Sequence, residues 1–178
     1  DRINPNLIFV GTEFGLYVTL DGGKTYKPFS TGMPRVRIDD LLIHPRDNDL
    51  IVATHGRSIW IADDISPLQQ LGRVSGEAAA FDSRPAVLWK NDTMMARSVT
   101  MKQFRGQNPQ GGASISFWSK AGGDAKIEIL DARGEPLRTL STQAAPGITR
   151  VQWDLRPDAP RAAAQDSARG GGQGGGQA

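Results

Sequence analysis

Two stretches of this chain repeat each other, and the repeat constrains the fold more than any other feature. The first is "NPNLIFVGTEFGLYVTLD" and the second is "DNDLIVATHGRSIWIADD". Gly15 of the first stretch aligns with Ser58 of the second, which is an offset of 43 residues. Each copy has an apolar run, a short polar turn and a second apolar run, the pattern of a β-hairpin. An offset of about 40–50 residues is typical of four-stranded propeller blades.

The rest of the first 64 residues also predicts short strands. We expect strands at 7–10, 16–20, 25–29, 38–43, 50–54 and 58–63, separated by turns rich in Gly, Asp and Asn. Pro28 favours an edge position for the third strand. Two hairpins are too few to close a propeller of about four to eight blades. We therefore interpret residues 1–64 as about one and a half blades at the end of a propeller, with the chain beginning inside a repeat.

The sequence predicts a second β domain after a connector at residues 65–81. In the connector, Ser66-Pro67 could begin a short helical turn. Strand patterns return from residue 82 in "VLWK", "SVTMKQF", "ASISFWSK", "AKIEILDARGEPLRTL" and "GITRVQWDLR". Five or six strands, against about seven in the complete fold, predict an incomplete Ig-like β-sandwich over residues 82–160. The Gly- and Gln-rich residues 161–178 are predicted to be a disordered tail or linker. The predicted fold class is all-β.

Composition argues against several classes of function. The formal net charge is +2, and no basic run with interleaved aromatic residues occurs, so we expect no nucleic-acid partner. No apolar run approaches the roughly 18 residues of a membrane span. The chain has no cysteine, which excludes disulfides and thiolate metal sites. Its two histidines, His44 and His55, are predicted at opposite edges of one sheet. We therefore expect neither a metal site nor a cofactor.

The stretch "TLDGGKTYKPF", Thr19 to Phe29, places an aspartate in a glycine-rich turn between two predicted strands. An aspartate side chain in such a turn accepts hydrogen bonds from backbone N–H groups ahead of it. Gly23 can supply a positive φ, the Thr25 hydroxyl can tie the turn, and Tyr26 can pack beneath it. We interpret Asp21 as the structural hinge of a hairpin rather than as a Ca²⁺ ligand or a catalytic acid.

Thr19 to Tyr26 resembles the Asp-box of bacterial-neuraminidase (BNR) repeats, Ser/Thr-x-Asp-x-Gly-x-Thr-aromatic. Three stretches in order resemble the C-terminal part of secreted bacterial sortilin-like BNR-repeat propeller proteins, often named glycosyl hydrolases. They are "GTEFGLYVTLDGGKTY", "THGRSIWIADDISPLQQL" and "GQNPQGGASISFWSK…GITRVQWDLR". The resemblance covers about residues 5–160. It implies a propeller followed by an Ig-like domain whose closing strands are missing here, a secreted or periplasmic location, and further blades of the same propeller as partners.

Candidate binding residues fall in loops that a propeller gathers on one face. We call this set the loop face; it comprises Glu13, Phe14, Met33, Arg35, Arg37, His55, Gly56 and Arg57. A mixed cationic, acidic and aromatic surface suits anionic or sugar-like ligands, while the simpler interpretation is a set of solvated loop charges. Arg57 is the leading candidate for a ligand contact because a guanidinium can bind a carboxylate or sulfate in two parallel hydrogen bonds. Arg35 is the second.

Two hypotheses about function remain open on the sequence alone. The first is a binding or scaffolding module for a protein or glycan partner. The alternative is a secreted glycoside hydrolase whose catalytic carboxylates lie in blades outside this chain. Glycoside hydrolysis generally needs two carboxylates about 5–10 Å apart. Glu13 is the only acid predicted on the loop face, because four other aspartates lie within or at the ends of predicted strands and are interpreted as capping or ladder-edge residues. Those four are Asp39, Asp40, Asp63 and Asp64. No catalytic residue is therefore assigned.

Overall fold

The computed structural model describes residues 1–88, 106–107 and 109–158 of the chain. Strands make up 44% of this part, and they form small antiparallel sheets accompanied by one short α-helix. The prediction of an all-β fold is therefore confirmed. The predicted tail, residues 161–178, and the strand-like segment "SVTMKQF" lie outside the described residues.

Two three-stranded meanders form the first part of the chain. The first sheet has the order β1-β2-β3 and the second the order β4-β5-β6. Their strands are β1 Ile8–Thr12, β2 Gly15–Thr19, β3 Lys27–Pro28, β4 Ile38–Ile43, β5 Leu50–Thr54 and β6 Ile59–Ala62. β3 contains Pro28 and, among the strands that the structure describes, pairs with β2 alone, so it is an edge strand of its sheet. All six strands lie where the apolar alternation predicts them, although β3 is shorter than expected.

Both sheets contribute to one hydrophobic core. Its fully or nearly fully buried members are Leu7, Leu16, Val18, Ile38, Leu50, Val52 and Ile65. The two sheets approach closely where β1 meets β4, because Gly11 has no side chain there. A Cβ atom on Gly11 would come within 2.7 Å of the Ile38 side chain. Gly11 therefore permits the contact between the two sheets.

The two copies of the repeat form the same strands, but the strands of the two hairpins pair in different registers. In the first hairpin Ile8 lies opposite Thr19. In the second hairpin Ile51, which is 43 residues further on, lies opposite Ile61 rather than Ala62. Side chains alternate between the two faces of a sheet, so a shift of one residue turns every side chain of a strand to the other face.

The shifted register exposes the apolar side chains of β6. Leu16 of β2 is 2% exposed, whereas Ile59, its equivalent in the repeat, is 64% exposed. The cause is the turn: two residues separate the last paired residues of β1 and β2, while five separate Ala53 from Ile59. Thr54 closes the longer turn by donating its backbone N–H to the carbonyl oxygen of Ser58.

The predicted connector contains a helix and also a strand. Helix α1, Ser66–Gln70, begins at the predicted Ser66-Pro67, and a 3₁₀ turn follows at Leu71–Arg73. Gln69 of α1 is 6% exposed, and its Nε2 donates to Asp1 Oδ2 at 2.8 Å. The helix is thereby fixed to the first residues of the chain. β7, Ala78–Ala80, lies within the predicted connector, yet it pairs with the next strand and belongs to the following sheet.

The second part of the chain has two small antiparallel sheets. One has the order β11-β8-β7, and the other is the hairpin β10-β9. The strands are β8 Ala113–Ser119, β9 Gly123–Leu130, β10 Pro136–Ala144 and β11 Gly147–Trp153. Val87 and Leu88 of the predicted strand "VLWK" lie outside any strand and are exposed.

Arginines from the second part bind the turns of the second sheet. Arg150 of β11 donates from its two terminal nitrogens to the carbonyl oxygens of Asp63 and Asp64, at 2.9 and 2.7 Å. Arg84 donates to the carbonyl oxygen of Asp47 at 2.8 Å and lies 3.7 Å from a carboxylate oxygen of Asp49. These contacts join the two parts of the chain at one end of β4–β6.

Candidate functional site

Three connections lie at the end of the two sheets that carries the loop face. They are the β1–β2 turn with Glu13 and Phe14, the segment leading into β4, and the β5–β6 turn. Thr12 stabilises the first turn, because its hydroxyl donates to the carbonyl oxygen of Gly15 and accepts from the N–H of Phe14. The Phe14 side chain, 67% exposed, projects from this turn.

Two contacts join Arg37, Asp39 and His55 on this end. The Nε of Arg37 donates to Asp39 Oδ1 at 2.7 Å, and Nδ1 of His55 lies 3.2 Å from Asp39 Oδ2. The backbone N–H of His55 also donates to the carbonyl oxygen of Arg37 at 2.9 Å. The His55 side chain is 70% exposed. The structure thus brings Arg37 and His55 together as predicted candidates, with Asp39 between them.

Asp39 is the residue that sequence reasoning missed, since it was interpreted as a capping or ladder-edge residue of its strand. The pairing of β4 with β5 shifts between Ile38 and Asp40, so Asp39 sits at an irregularity in the ladder. Such a bulge re-aims a side chain. The only signal in the sequence is the pair Asp39-Asp40 inside an otherwise apolar strand, since regular alternation places two adjacent carboxylates on opposite faces.

Arg57 and Arg35 are exposed, and within the part of the chain that the structure describes neither forms an ion pair. The carbonyl oxygen of Arg57 accepts a hydrogen bond from Trp60 Nε1 at 2.9 Å, which fixes the backbone of the turn. Gly56 allows the tight turn, with a φ of 73°. Glu13 likewise has no ion-pair partner among the described residues.

The Asp21 turn lies at the other end of the first sheet, after β2. Asp21 Oδ1 accepts from the backbone N–H groups of Lys24 and Thr25, at 3.0 and 2.9 Å. It also accepts from the Thr19 hydroxyl at 2.7 Å, and Asp21 Oδ2 accepts from the Thr25 hydroxyl at 2.6 Å. These bonds, the Thr19 hydroxyl first, hold the pKa of the Asp21 carboxyl well below its ordinary value of 3.8.

Glycines complete the Asp21 turn. Gly22 and Gly23 have φ angles of 73° and 97°, which side-chain-bearing residues rarely adopt. Beneath Gly23, the Tyr26 hydroxyl lies so near that a Cβ atom on Gly23 would be 3.1 Å from it. Both carboxylate oxygens of Asp21 thus accept hydrogen bonds from its own turn, and the role of this carboxylate is to stabilise the hairpin.

The two histidines do not meet. His44 follows β4, while His55 follows β5, so they occupy opposite ends of the second sheet. The His44 ring accepts the backbone N–H of Asp47 at 3.2 Å and supports its turn. In residues 1–88, 106–107 and 109–158, no three side chains of the His, Asp or Glu type lie close enough to hold a metal ion.

Two shallow clefts lie away from the loop face. One, of about 350 Å³, has mainly apolar walls from β1, β4 and β5, with Asp1 and Arg2 at its margin. The other, of about 470 Å³, lies on the β9–β10 hairpin beside Asp124 and Lys126. Neither is lined by a loop-face residue. The loop-face side chains therefore project from turns rather than line either cleft.

Comparison of the chain with protein-family models, with curated proteins and with solved structures finds no significant match. The resemblance to BNR-repeat proteins thus stays a prediction from the sequence. Helix α1 has five residues, and none of the helices that the structure describes has the length and apolarity of a membrane span.

Proposed function

We propose that this chain is part of a BNR-repeat propeller protein that acts as a binding or scaffolding module. Two neighbouring meanders with a common core, and an Asp-anchored turn at the end opposite the loop face, support this proposal. So does the outer face of the second sheet, where Leu42 and Ile61 are 55% and 58% exposed. A blade presents such an apolar face to its neighbour, so the other blades of the propeller are the proposed partners.

The loop face is the proposed contact surface for a ligand. The observation that carries this is the Arg37–Asp39–His55 chain of contacts beside Arg57, whose guanidinium is exposed. Asp39 holds Arg37 and His55 in place, while Arg57 keeps its donors for a ligand. Guanidinium groups bind carboxylates and sulfates through paired charge-assisted hydrogen bonds. The proposed ligand is therefore a carboxylate or sulfate group carried by a glycan or a protein.

Binding is favoured over catalysis by the state of the acids on the loop face. Asp39 is engaged by Arg37 and His55, which leaves Glu13 as the acid with no ion-pair partner in the described residues. A glycosidase generally places two carboxylates on either side of the scissile bond. Projecting turns also suit a docking surface better than an enclosed substrate site. Glu13 could supply at most one of the two carboxylates, so the hydrolase alternative needs a catalytic carboxylate from blades outside this chain.

Arg57→Lys tests the proposal. The probe is an array of glycans carrying sulfate or carboxylate groups, with the neutral glycans of the same backbone as reference. Lys keeps the charge but loses the paired hydrogen bonds, so affinity for an anionic glycan should fall about ten- to hundredfold. Arg46→Lys is the matched control, because Arg46 is exposed at the opposite end of the second sheet. Unchanged affinity with a lowered melting temperature would make Arg57 a structural residue and contradict the proposal.

A further inference from the structure

Asp21 and Gly22 form the one Asp-Gly sequence in the chain. An aspartate followed by glycine is the sequence most prone to a spontaneous rearrangement of the main chain, because glycine has no side chain to hinder the approach of its nitrogen to the neighbouring carboxyl group. Gly22 is exposed, with a φ of 73°. The same two residues carry the turn between β2 and β3, so a reaction between them would alter that turn directly.

The reaction joins the backbone nitrogen of Gly22 to Cγ of Asp21. A C–N bond forms, the carboxyl group loses its hydroxyl, and the hydroxyl leaves as water with the amide proton, which gives a five-membered succinimide ring. Water then adds to either carbonyl of the ring. Opening at Cγ returns aspartate, whereas opening at the original peptide carbonyl gives isoaspartate. One water is lost and one is regained, so the mass is unchanged and no other reactant is needed.

Contacts in the folded turn restrain both reacting groups. The N–H of Gly22 donates to the carbonyl oxygen of Asn6 at 3.0 Å, so this nitrogen is engaged with another segment of the chain. The Asp21 carboxylate is fixed by four hydrogen bonds from residues of its own turn. These bonds also favour the ionised carboxylate, which lacks the hydroxyl that must leave. Both groups must therefore be released before the ring can close.

The strand that follows the turn is weakly held. β3 consists of Lys27 and Pro28, which are both exposed, and it pairs with β2 through two residue pairs. Residues 24–26, between Gly23 and β3, are exposed as well. Segments with few buried contacts and solvent-exposed hydrogen bonds open locally without unfolding the rest of the chain. We therefore expect the Asp21 turn to open while the core around Leu16 stays closed.

We propose that Asp21–Gly22 is a site of isoaspartate formation that the folded turn restrains, so that each opening of the turn gives the pair an opportunity to rearrange. Isoaspartate lengthens the main chain by one carbon and carries its carboxylate directly on Cα. The four hydrogen bonds of the present turn cannot all re-form with that geometry. A reversible local opening is thereby converted into a permanent one, and β3 loses its anchor. The proposal does not depend on the proposed ligand or on the resemblance to BNR repeats.

Incubation of the full chain at neutral pH and physiological temperature tests the proposal. Trypsin then releases residues 3–24 as one peptide, whose isoaspartate form is identified by chromatography and electron-transfer fragmentation. Thr25→Ala removes the hydroxyl that donates to Asp21 Oδ2, so isomerisation should be about tenfold faster than in the wild type. Thr139→Ala is the matched control and should match the wild type, because Thr139 is exposed and its hydroxyl makes no hydrogen bond with the described residues.

The full chain unfolded in guanidinium chloride gives the rate without the turn. The native wild type should isomerise more slowly than this reference, with Thr25→Ala between the two. Asp124, which is followed by Ala125, is the internal reference and should stay unmodified in each sample. Equal rates in the native and unfolded wild type, or in the native wild type and Thr25→Ala, would overturn the proposal.

Hydrogen exchange provides a second measurement, which needs no variant. In the purified isoaspartate form the N–H of Thr25, which now donates to Asp21 Oδ1, should lose its protection, while the paired amides of β1 and β2 keep theirs. The isoaspartate form should also melt at a lower temperature than the unmodified chain. Retained protection at Thr25 with an unchanged melting temperature would show that the turn closes again, which contradicts a permanent opening.

Discussion

At the scale of single residues, hydrogen bonding sets the role of the carboxylates. The carboxylate oxygens of Asp21 accept hydrogen bonds from residues of its own turn. Asp39 instead contacts two basic side chains of the loop face. Asp63 is affected differently, because burial, followed by the neighbouring Asp49, raises the pKa of its carboxyl. Three aspartates of one small β region thus differ in charge environment for reasons visible in their contacts.

Asp21→Asn should lower the melting temperature at neutral pH. The folded state holds the pKa of Asp21 below the 3.8 of an ordinary aspartate. The charged form therefore adds stability above about pH 4, and this contribution is lost as the pH falls toward the lowered pKa. Thermal melts from pH 7 to pH 3 should show the wild type and the variant converging below about pH 4.

Asp82→Asn is the control for this experiment. Its carboxylate accepts no hydrogen bond from the described residues, so its melts should follow those of the wild type. A constant difference between wild type and Asp21→Asn across the whole pH range would mean that the Asp21 charge does not stabilise the turn.

At the scale of elements, the sequence predicted the strands better than their pairing. Alternation and turn residues are local, so β1 to β6 and the start of α1 were found from the residues themselves. The register of β6 depends on the five-residue turn closed by Thr54, which the repeat does not determine. β7 was missed because Ala78–Ala80 has no alternation, and it is extended only because β8 offers it an edge.

The candidate site was predictable to the same extent. In two antiparallel meanders, the β1–β2 turn, the β5–β6 turn and the segment before β4 lie at the same end of the strands. The proximity of Arg37 and His55 was therefore predictable from the strand order. The position of Asp39 was not, because the bulge that turns it toward them depends on the pairing of β4 with β5.

Matched alanine substitutions test the register of β6. Leu16→Ala should cost about 2–5 kcal/mol, because Leu16 is 2% exposed in the core. Ile59→Ala, at the equivalent position of the repeat, should stay within about 0.5 kcal/mol, because Ile59 is 64% exposed. Urea unfolding of both variants at a concentration where the chain is monomeric provides the measurement. Equal losses would indicate that the second hairpin has the register of the first.

At the scale of the whole molecule, polar contacts join the two parts of the chain among the residues that the structure describes. Arg150 reaches from β11 to the chain just after β6, and Arg84 reaches the β4–β5 turn. Gln70 adds a pair of hydrogen bonds to the backbone of Asp82. In this part of the structure, three of the hydrogen bonds between the two parts are donated by the two arginines.

Arg150→Ala should destabilise the chain by about 1–2 kcal/mol, because two charge-assisted hydrogen bonds are lost. It should also separate the unfolding of the two parts, so that calorimetry shows a broader or double transition. Arg133→Ala, in the β9–β10 turn, is the control, since its side chain makes no hydrogen bond to the first two sheets in the described residues. A single sharp transition with an unchanged midpoint would show that Arg150 is not needed to couple the parts.

The two sides of the Arg150 contact should differ in how many substitutions they tolerate. Its acceptors are the main-chain oxygens of Asp63 and Asp64, and every amino acid supplies that oxygen at those positions. Substitutions on the receiving side therefore preserve the bonds wherever the backbone keeps its course. Residue 150 cannot be substituted in this way, since only the guanidinium of arginine reaches two adjacent carbonyl oxygens at once. Random mutagenesis should accordingly find many permissive changes at residue 63 and very few at residue 150.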